Sequence, residues 1–316
     1  MKDLKNFTII IPCIKFNDVK NSIRNIRKVY KNVKILVCLN HKVKYNKDKN
    51  LRFIYTNFKG IGAKRNLAVK KASTKYLAFI DSDAYPAKKW LENSIKYLSK
   101  KNIGIIAGPH IDPINQNLSE DIVGQVKKSF IITMRPSLQK QKNPIPKIVS
   151  FMPSCNWIMK KKNFLKFGYM DGNMLRNEDW DFVFNRMKKK KFKLLYNPKS
   201  TIYHENSTIY HFIKKRFLYG YYMWPILRQI NFNNFYFFIP FLFVLYLISL
   251  PLNLYFEYYK EIYFFILFLY LSVVTVETIR VSKKLIYVPF IFFIMLLANI
   301  SPGLGILAGL LNFNKD

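Results

Sequence analysis

The chain has 316 residues, of which 50% are hydrophobic, and a formal net charge of +34. This length suits one large domain or one domain with an appendage, and the apolar content is sufficient to bury a core. The three cysteines, Cys13, Cys38 and Cys155, have no CxxC spacing and indicate neither a disulfide framework nor a zinc knuckle, so we expect them to be small core residues.

The basic charge is spread along the chain. Lysine runs occur at 160–162 and 188–191, in stretches with a helical pattern, and we find no known nucleic-acid-binding signature. Basic groups near an anionic membrane leaflet each gain about 1 kcal/mol from its surface potential. We therefore expect membrane lipids and not nucleic acid as partners, with a solvated lysine-rich surface as the alternative for much of the excess.

The amino-terminal part leads directly into a strand-like run, Phe7–Pro12. The residues before it do not resemble the charged, apolar and cleavage regions of a secretory signal. We therefore expect this part of the chain to lie in the cytoplasm.

Short apolar runs alternate with helical patterns over the first third of the chain. The helical patterns cover 18–30, 61–72 and 88–99. The runs predicted to be strands are Phe7–Pro12, Lys34–Leu39, Leu51–Tyr55, Tyr76–Ile80 and Ile103–Ala107. Such alternation predicts an α/β, Rossmann-like fold, with a mainly parallel sheet and helices on both faces. Ligands of such sheets bind beyond the carboxyl ends of the strands.

An acidic cluster, Asp81-Ser82-Asp83, stands at such a strand end. Two carboxylates two residues apart can share one hard divalent cation, whose other positions are taken by phosphate oxygens and water. Such an ion neutralises charge on a leaving diphosphate. Alone, the tripeptide is also typical of a turn or a helix cap.

Further motifs follow in a fixed order, and with them residues 7–205 resemble a family 2 glycosyltransferase of the GT-A fold. The matching segments are Ile9-Ile10-Ile11-Pro12, Gly60 to Ala68 with its Ala63-Lys64-Arg65-Asn66, Tyr76 to Asp83, Cys155 to Lys161 with Phe167 to Asp171, Glu178-Asp179-Trp180-Asp181-Phe182 with Arg186, and Tyr196-Asn197-Pro198 leading to Tyr203-His204.

The resemblance implies inverting transfer of a sugar from a nucleotide-activated donor, with Mg2+ or Mn2+ as cofactor. It implies Asp179 as the base that deprotonates the acceptor, with Glu178 beside it in the catalytic pair. The metal ligands would be Asp81, Asp83 and His204. The donor-binding residues would be Pro12, Lys64, Arg65, Asn66 and Asp81. The acceptor-binding residues would be Asn156, Trp157, Trp180 and Asp181.

Structural alternatives remain open for several of these residues. Glu178 and Asp181 could instead cap a helix over 180–190. His204 could be structural, although a neutral imidazole suits a metal or diphosphate. Lys64 and Arg65, near the start of a predicted helix, could meet diphosphate oxygens or be surface charge.

One segment departs from the family pattern. Family members often carry Asp-Asp-x-Ser after the second strand, where a carboxylate reads the donor base, whereas this chain has Val37 to Lys42 with Asn40. Asn40 could hydrogen-bond a base edge or serve only as a turn residue. The base of the donor stays open.

The stretch 208–232 combines basic residues with tyrosine and tryptophan, as a helix at the headgroup level of a membrane does. An ordinary packed helix is the alternative. Processive synthases of the superfamily carry Gln-x-x-Arg-Trp here, but this chain has Ile213-Lys214-Lys215-Arg216-Phe217. We therefore expect transfer of a single sugar.

Three apolar stretches follow, at 235–254, 262–276 and 285–311. A bilayer about 30 Å thick needs about 20 residues to be crossed, and the third stretch could bend or turn back at Pro302, Gly303 and Gly305. Three crossings would place Arg280, Lys283 and Lys284 on the cytoplasmic side. The predicted organisation is a GT-A domain at 1–207, an interfacial helix at 208–232 and a transmembrane region with two or three helices at 233–316.

Together these features predict a multi-pass enzyme of the cytoplasmic membrane with its catalytic domain facing the cytoplasm. It would take a nucleotide-sugar donor and a lipid-linked or glycan acceptor, such as a polyprenyl phosphate, a lipid-linked saccharide or a glycolipid. The alternatives are a nucleotidyltransferase acting on a sugar phosphate and a non-catalytic membrane scaffold. A transporter is disfavoured, because the predicted spans carry almost no charge.

Overall fold

The computed structural model describes residues 2–14, 16–45, 48–133, 145–227 and 235–313. The chain forms two compact units, one of Met1–Pro113 with Leu138–Glu205 and one of Ile114–Ser137 with Asn206–Asp316. The second unit thus includes a segment from the middle of the chain, Ile114–Ser137. The sequence did not predict that this segment belongs to a different unit from the residues around it.

The first unit is built on a large sheet. Its strands are β1 (Phe7–Pro12), β2 (Lys34–Leu39), β3 (Leu51–Tyr55), β4 (Tyr76–Ile80), β6 (Ile103–Ala107), β8 (Lys147–Val149), β9 (Asn156–Lys160) and β10 (Lys193–Tyr196), and their order is β3-β2-β1-β4-β9-β6-β10-β8. Neighbouring pairs among β1 to β4 are parallel, and so are β6 and β10, whereas β9 runs antiparallel to both of its neighbours. The expected mainly parallel sheet is confirmed.

Helices cover both faces of this sheet, because its central strands are apolar on both sides. Phe7, Ile9 and Ile11 of β1 belong to one buried cluster, and Ile10 belongs to the other. The helices of this unit are α1 (Phe16–Val29), α2 (Ile61–Lys71), α3 (Glu92–Leu98), α6 (Lys161–Phe167) and α7 (Glu178–Asp181). In α1, apolar residues at helical spacing, Val19, Ile23 and Ile26, are buried in the first cluster.

The five strands predicted from apolar runs have the predicted bounds. The predicted helices differ more at their ends, since 18–30 is Phe16–Val29, 61–72 is Ile61–Lys71 and 88–99 is Glu92–Leu98. The stretch 180–190 is not one regular helix. After α7 it becomes a π-helical turn at Phe182–Met187 and a 3-10 turn at Lys188–Lys190.

A second, small sheet lies in the same unit. Its strands are β5 (Ala84–Pro86), β7 (His110–Ile111) and β11 (Ile202–His204), in the order β5-β11-β7. In β11, His204 pairs with Ala84, the residue that follows the Asp81-Ser82-Asp83 turn. This pairing brings the imidazole to the acidic cluster.

The second unit is helical. Its helices are α4 (Leu118–Val126), α5 (Phe130–Thr133), α8 (Ile209–Tyr221), α9 (Trp224–Leu227), α10 (Ile239–Ile248), α11 (Glu257–Val281) and α12 (Val288–Phe313). Among the described residues, three helical stretches are long and apolar enough to cross a membrane, Phe235–Leu254, Glu257–Val281 and Leu285–Asn312. The middle stretch is longer than the apolar run at 262–276 suggested.

Helix α8 occupies the first part of the predicted interfacial helix and packs closely against α12. A Cβ at Gly220 would lie 2.0 Å from the Pro302 carbonyl oxygen, and one at Gly305 would lie 2.1 Å from that of Phe217. Only glycine allows backbones this close. Residues 228–234, which include Arg228 of the predicted interfacial helix, lie outside the described residues.

Helix α12 continues through Pro302 without ending there. Proline has no N–H, so the carbonyl of Ala298, four residues earlier, lacks its helical donor. The guanidinium of Arg216 supplies one, because its Nε donates to the Ala298 oxygen while a second nitrogen donates to Ile132 at 3.2 Å. A basic residue of α8 therefore repairs the hydrogen-bond gap in α12.

Candidate functional site

The two acidic motifs of the sequence meet through one arginine. Arg65, near the start of α2, donates to Asp81 Oδ1 at 2.8 Å and to Glu178 Oε1 at 2.9 Å. Its side chain is 2% exposed, whereas that of Glu178 is 9% and that of Asp81 is 35% exposed. The guanidinium thus joins groups 97 residues apart in sequence, Asp81 and Glu178, into one site.

A glycine allows α2 to approach the Glu178 loop. A Cβ at Gly62 would lie 2.9 Å from Glu178 Cγ and 3.0 Å from the Asp171 carbonyl oxygen, so the bare backbone is needed there. The loop also turns sharply at Asn177, whose φ of 63° is left-handed, a conformation that asparagine tolerates better than most residues. Both features place Glu178 and Asp179 beside Arg65.

Asp179 is held by hydrogen bonds on both carboxylate oxygens. Oδ2 accepts from the Ser154 backbone N–H at 3.2 Å and from its hydroxyl at 3.3 Å, and Oδ1 accepts from the Trp180 N–H at 2.8 Å. Burial raises the pKa of Asp179, although Arg65 opposes the rise. A fixed carboxylate with a raised pKa can take a proton from a bound hydroxyl.

Glu178 differs from Asp179 in being paired directly with Arg65. Burial, and after it the charge of Asp179, raises the pKa of Glu178 from 4.5 to about 7, with Arg65 acting in the opposite direction. Two adjacent carboxylates in one pocket resist simultaneous ionisation.

His204 faces the carboxylates of the other acidic motif. Its Nε2 lies 3.8 Å from Asp81 Oδ2 and 3.5 Å from Asp83 Oδ1, and its Nδ1 lies 2.9 Å from the Glu205 carbonyl oxygen. A carbonyl accepts, so Nδ1 donates, and a neutral ring then presents a lone pair at Nε2. His204 thus lies within 4 Å of a carboxylate oxygen of each aspartate. Carboxylate and imidazole ligands of this kind suit a divalent cation such as Mg2+ or Mn2+.

The thiol of Cys155 lies at the same site, a position that was not predicted from the sequence. Sγ of Cys155, a carboxylate oxygen of Asp81 and a ring nitrogen of His204 all lie within 4.8 Å of one another. Burial, and then the charge of Asp81, raises the pKa of Cys155. Its only signal in the sequence was its place at the start of the matching segment Cys155 to Lys161.

Lys64 is turned toward the ends of β1 and β2. Its Nζ donates to the Cys13 carbonyl oxygen at 2.7 Å and to Asn40 Oδ1 at 2.5 Å, and the side chain is fully buried. The Asn40 amide nitrogen donates to the carbonyls of Thr56 and Phe58, each at 3.0 Å. These contacts give Lys64 and Asn40 a structural task, and their roles toward a donor stay predictions.

The remaining predicted donor residues are Pro12 and Asn66. Pro12 ends β1 opposite Cys38 of β2. Asn66 exchanges two hydrogen bonds with the backbone of Met170, at 2.8 and 3.0 Å, so both ends of its amide are engaged.

The predicted acceptor residues are mostly buried. Asn156 and Trp157 are fully buried; the amide of Asn156 accepts from Trp90 at 2.8 Å, and Trp157 donates to the Met152 carbonyl at 2.9 Å. Asp181 accepts from Asn185 and from Arg186 at 2.8 Å each. Trp180 is 5% exposed and stacks on Phe184 with ring centroids 4.5 Å apart. Acceptor binding by these four residues stays a prediction, and each has a packing role as well.

Comparison with known proteins gives a family match. The family described as "Glycosyl transferase family 2" matches residues 8–168, just over half of the chain. This range contains Arg65, the Asp81-Ser82-Asp83 turn and the Cys155 segment.

Curated relatives are similar over shorter parts. An uncharacterized glycosyltransferase of Rickettsia bellii is 29% identical over 114 residues, which are 32% of this chain and 16% of that protein. A pre-mycofactocin glycosyltransferase of Mycobacterium tuberculosis is 25% identical over 152 residues, 47% of this chain and 30% of that protein. The chain therefore spans less than a third of the length of these relatives.

Solved structures show a distant likeness at 12% identity. GalNAc-T7 with UDP, GalNAc and Mn2+ has a TM-score of 0.47, covering 70% of this chain and 51% of that one. S. aureus TarS has a TM-score of 0.40, covering 95% of this chain and 55% of that one.

The family match and the mainly parallel sheet agree with the expected GT-A fold. The chain belongs to glycosyl transferase family 2.

Proposed function

We propose that this chain is a membrane-anchored glycosyltransferase that moves one sugar, with inversion, from a nucleotide-activated donor to a lipid-linked acceptor. The observation that carries the proposal is the Arg65 bridge, which joins Asp81 of the candidate cation site to Glu178, the neighbour of the candidate base. An inverting transfer needs these two functions on opposite sides of one anomeric carbon.

Asp179 is the proposed general base. Its carboxylate takes the proton of the acceptor hydroxyl as the acceptor oxygen bonds to the anomeric carbon. The bond from that carbon to the diphosphate breaks at the same time, and the nucleoside diphosphate leaves with the electron pair. The hydrogen bonds from Ser154 and Trp180 hold the carboxylate in place for this step.

Asp81, Asp83 and His204 are the proposed ligands of Mg2+ or Mn2+. A cation bound there supplies positive charge that stabilises the departing diphosphate. Arg65 keeps one Asp81 oxygen in place, and the Glu205 carbonyl fixes the ring tautomer of His204.

The lipid-linked nature of the acceptor is supported by the second unit. Three stretches of 20, 25 and 28 residues are apolar enough to cross a bilayer. Anchoring would keep the enzyme in the plane of a lipid-borne acceptor, where a weak affinity for the head group suffices. We further propose the cytoplasmic membrane as the location, with the catalytic unit on the cytoplasmic side.

The test is a screen of nucleotide sugars with membranes that contain the chain, with and without a chelator. We expect one donor to be turned over by wild type, with loss on chelation and in Asp81→Ala. In Asp179→Asn we expect a rate about a hundredfold to ten-thousandfold lower. Asp48→Asn, which alters a partly buried pair with Arg27 outside the candidate site, is the matched control and should keep full activity.

Product analysis separates the alternatives. Release of inorganic diphosphate from a nucleoside triphosphate and a sugar phosphate would establish a nucleotidyltransferase instead. Absence of turnover with every donor, or full activity in Asp179→Asn, would contradict the proposal.

A further inference from the structure

Strand pairing in the sheet places Cys155 at the candidate cation site. Strand β9 pairs with β4 so that Asn156 lies opposite Ile80. The next residue outward on each strand is Cys155 on one and Asp81 on the other, and these two therefore leave the sheet side by side. Cys155 is 7% exposed, so its thiol is held within the protein.

The spacing of the ligand atoms suits one ion. Zinc binds sulfur at about 2.3 Å, imidazole nitrogen at about 2.0–2.1 Å and carboxylate oxygen at about 2.0–2.2 Å. Two ligand atoms of a tetrahedral ion with these bond lengths are thus about 3.4–3.6 Å apart. The atoms of Asp81, Cys155 and His204 lie within 4.8 Å of one another. Side-chain shifts of up to about 1 Å would therefore close the site around one ion.

The chemistry of this set differs from that of an oxygen-only site. Carboxylates and water suit Mg2+ and Mn2+, whereas thiolate is a soft ligand that selects Zn2+ and similar ions. Imidazole suits zinc as well. The pocket therefore offers two overlapping sets of ligands, one with Asp83 and one with Cys155.

The ring of His110 contacts the thiol of Cys155. Its Nδ1 lies 3.4 Å and its Nε2 3.6 Å from Sγ of Cys155, and the residue is 6% exposed. Its ring also stacks on that of His204, with centroids 6.2 Å apart. These contacts help to fix the position of Sγ beside His204.

We propose that this pocket has a second mode of metal binding, in which Zn2+ or Cd2+ is held by the thiolate of Cys155 together with Asp81 and His204. On binding, the S–H bond breaks, the sulfur–metal bond forms and the proton passes to solvent. The mode shares Asp81 and His204 with the cation site, so Zn2+ excludes Mg2+ or Mn2+ and inhibits transfer. This inhibition rests on the proposed function, but the binding does not.

The experiment titrates Cd2+ alone into the chain purified in detergent and records the ultraviolet charge-transfer band of a cadmium–thiolate bond. We expect one Cd2+ per chain in wild type and no band in Cys155→Ser or Cys155→Ala. Asp81→Asn and His204→Ala should each weaken Cd2+ binding by about tenfold or more. Cys38→Ser and Cys13→Ser are the matched controls, because both cysteines are also buried, and should keep the band. Thermal unfolding identifies variants that fail to fold.

A band that persists in folded Cys155→Ser would overturn the proposal. So would a band that needs Cys155 but is indifferent to both Asp81→Asn and His204→Ala, since that result describes a thiol acting without the pocket. Excess Mg2+ should raise the Cd2+ concentration at half-saturation, and its failure to do so at any concentration would contradict a shared pocket.

If the band follows all three residues but no donor is turned over, the proposed function fails and the metal mode stands. If transfer occurs and no band forms, only the metal mode fails.

Discussion

Arg65 organises the site at the scale of single residues. A buried guanidinium is always charged and can address two carboxylates at once through its fixed fork of donors. Its positive charge lies between two carboxylates, that of Glu178, which is nearly buried, and that of Asp81, which is about a third exposed. The surface-charge alternative for Arg65 does not fit this geometry, and its contact with a diphosphate stays a prediction.

Gly62 gives a prediction about the position of Glu178. In Gly62→Ala the new methyl would lie 2.9 Å from Glu178 Cγ and must displace it or α2, because the Asp171 oxygen at 3.0 Å blocks the other direction. We expect a transfer rate lower by on the order of tenfold to a hundredfold, from misplacement of the acidic loop. Steady-state kinetics would measure it.

Gly172→Ala is the matched control for this prediction. A Cβ there meets Ala63 at 3.6 Å, which is ordinary contact. We expect wild-type kinetics and a stability change within about 0.5 kcal/mol. Equal kinetics for both alanine variants would show that Gly62 does not set the position of Glu178.

The raised pKa of Glu178 predicts a pH dependence of stability. With a pKa of about 7 in the folded chain and 4.5 ordinarily, folded Glu178 binds more protons than unfolded Glu178 between these values. Its contribution is therefore present below pH 4.5 and is lost as the pH rises through about 7. Measured as Tm in detergent, the advantage of wild type over Glu178→Gln should shrink across this window. An advantage that grows with pH would contradict the assignment.

At the scale of elements, the repair of α12 by Arg216 can be tested with a double-mutant cycle. Arg216→Leu leaves the buried Ala298 carbonyl without a donor, which costs about 1–3 kcal/mol. Pro302→Ala restores the helical N–H, so the Tm loss caused by Arg216→Leu should be smaller in that background. Some loss should remain, because the Ile132 carbonyl also loses its donor.

Lys215→Leu is the control for this cycle, since Lys215 is an exposed neighbour on α8. Its effect on Tm should be the same with Pro302 and with Ala at that position. Strict additivity of Arg216→Leu and Pro302→Ala would refute the repair.

The elements that the sequence predicted well are those with a strong local signal. Apolar runs such as Phe7–Pro12 and Tyr76–Ile80 are buried on both faces, so their composition alone identified them. The strands Ala84–Pro86 and His110–Ile111 are too short for any periodic pattern, and they form only through pairing with β11. The place of His110 beside Cys155 could not be read from the sequence for the same reason.

The grouping of Ile114–Ser137 with the carboxyl-terminal helices is likewise a tertiary effect. It depends on long-range contacts, such as those of Glu277 with the Ser129 hydroxyl and the Phe130 N–H, at 2.8 Å each. The irregular turn at Phe182–Met187 also lacks a local signal, since its residues fit a regular helix equally well. The two acidic motifs and their order, by contrast, could be recognised from the sequence, because each motif comes after a segment that could itself be recognised.

At the scale of the whole molecule, the charge distribution predicts an orientation in the membrane. Arg280, Lys283 and Lys284 should face the cytoplasm, and Tyr255, between the first two candidate spans, should face outward. We expect an impermeant maleimide to label Tyr255→Cys but not Lys284→Cys in intact cells, and both after lysis. The native cysteines are buried. Labelling of both variants from outside would contradict three crossings in this orientation.

The central claim is that the Asp81 and Asp179 motifs act in the same sugar transfer. The Asp81 motif acts on the departing diphosphate, and the Asp179 motif takes the proton of the acceptor. The most direct measurement compares metal-dependent binding of the donor's nucleoside diphosphate, by calorimetry, with the transfer rate in the same two variants. We predict that Asp81→Ala loses both binding and transfer, whereas Asp179→Asn binds the nucleotide like wild type and loses transfer. Nucleotide binding that is indifferent to Asp81→Ala, or transfer that survives in Asp179→Asn, would contradict the account.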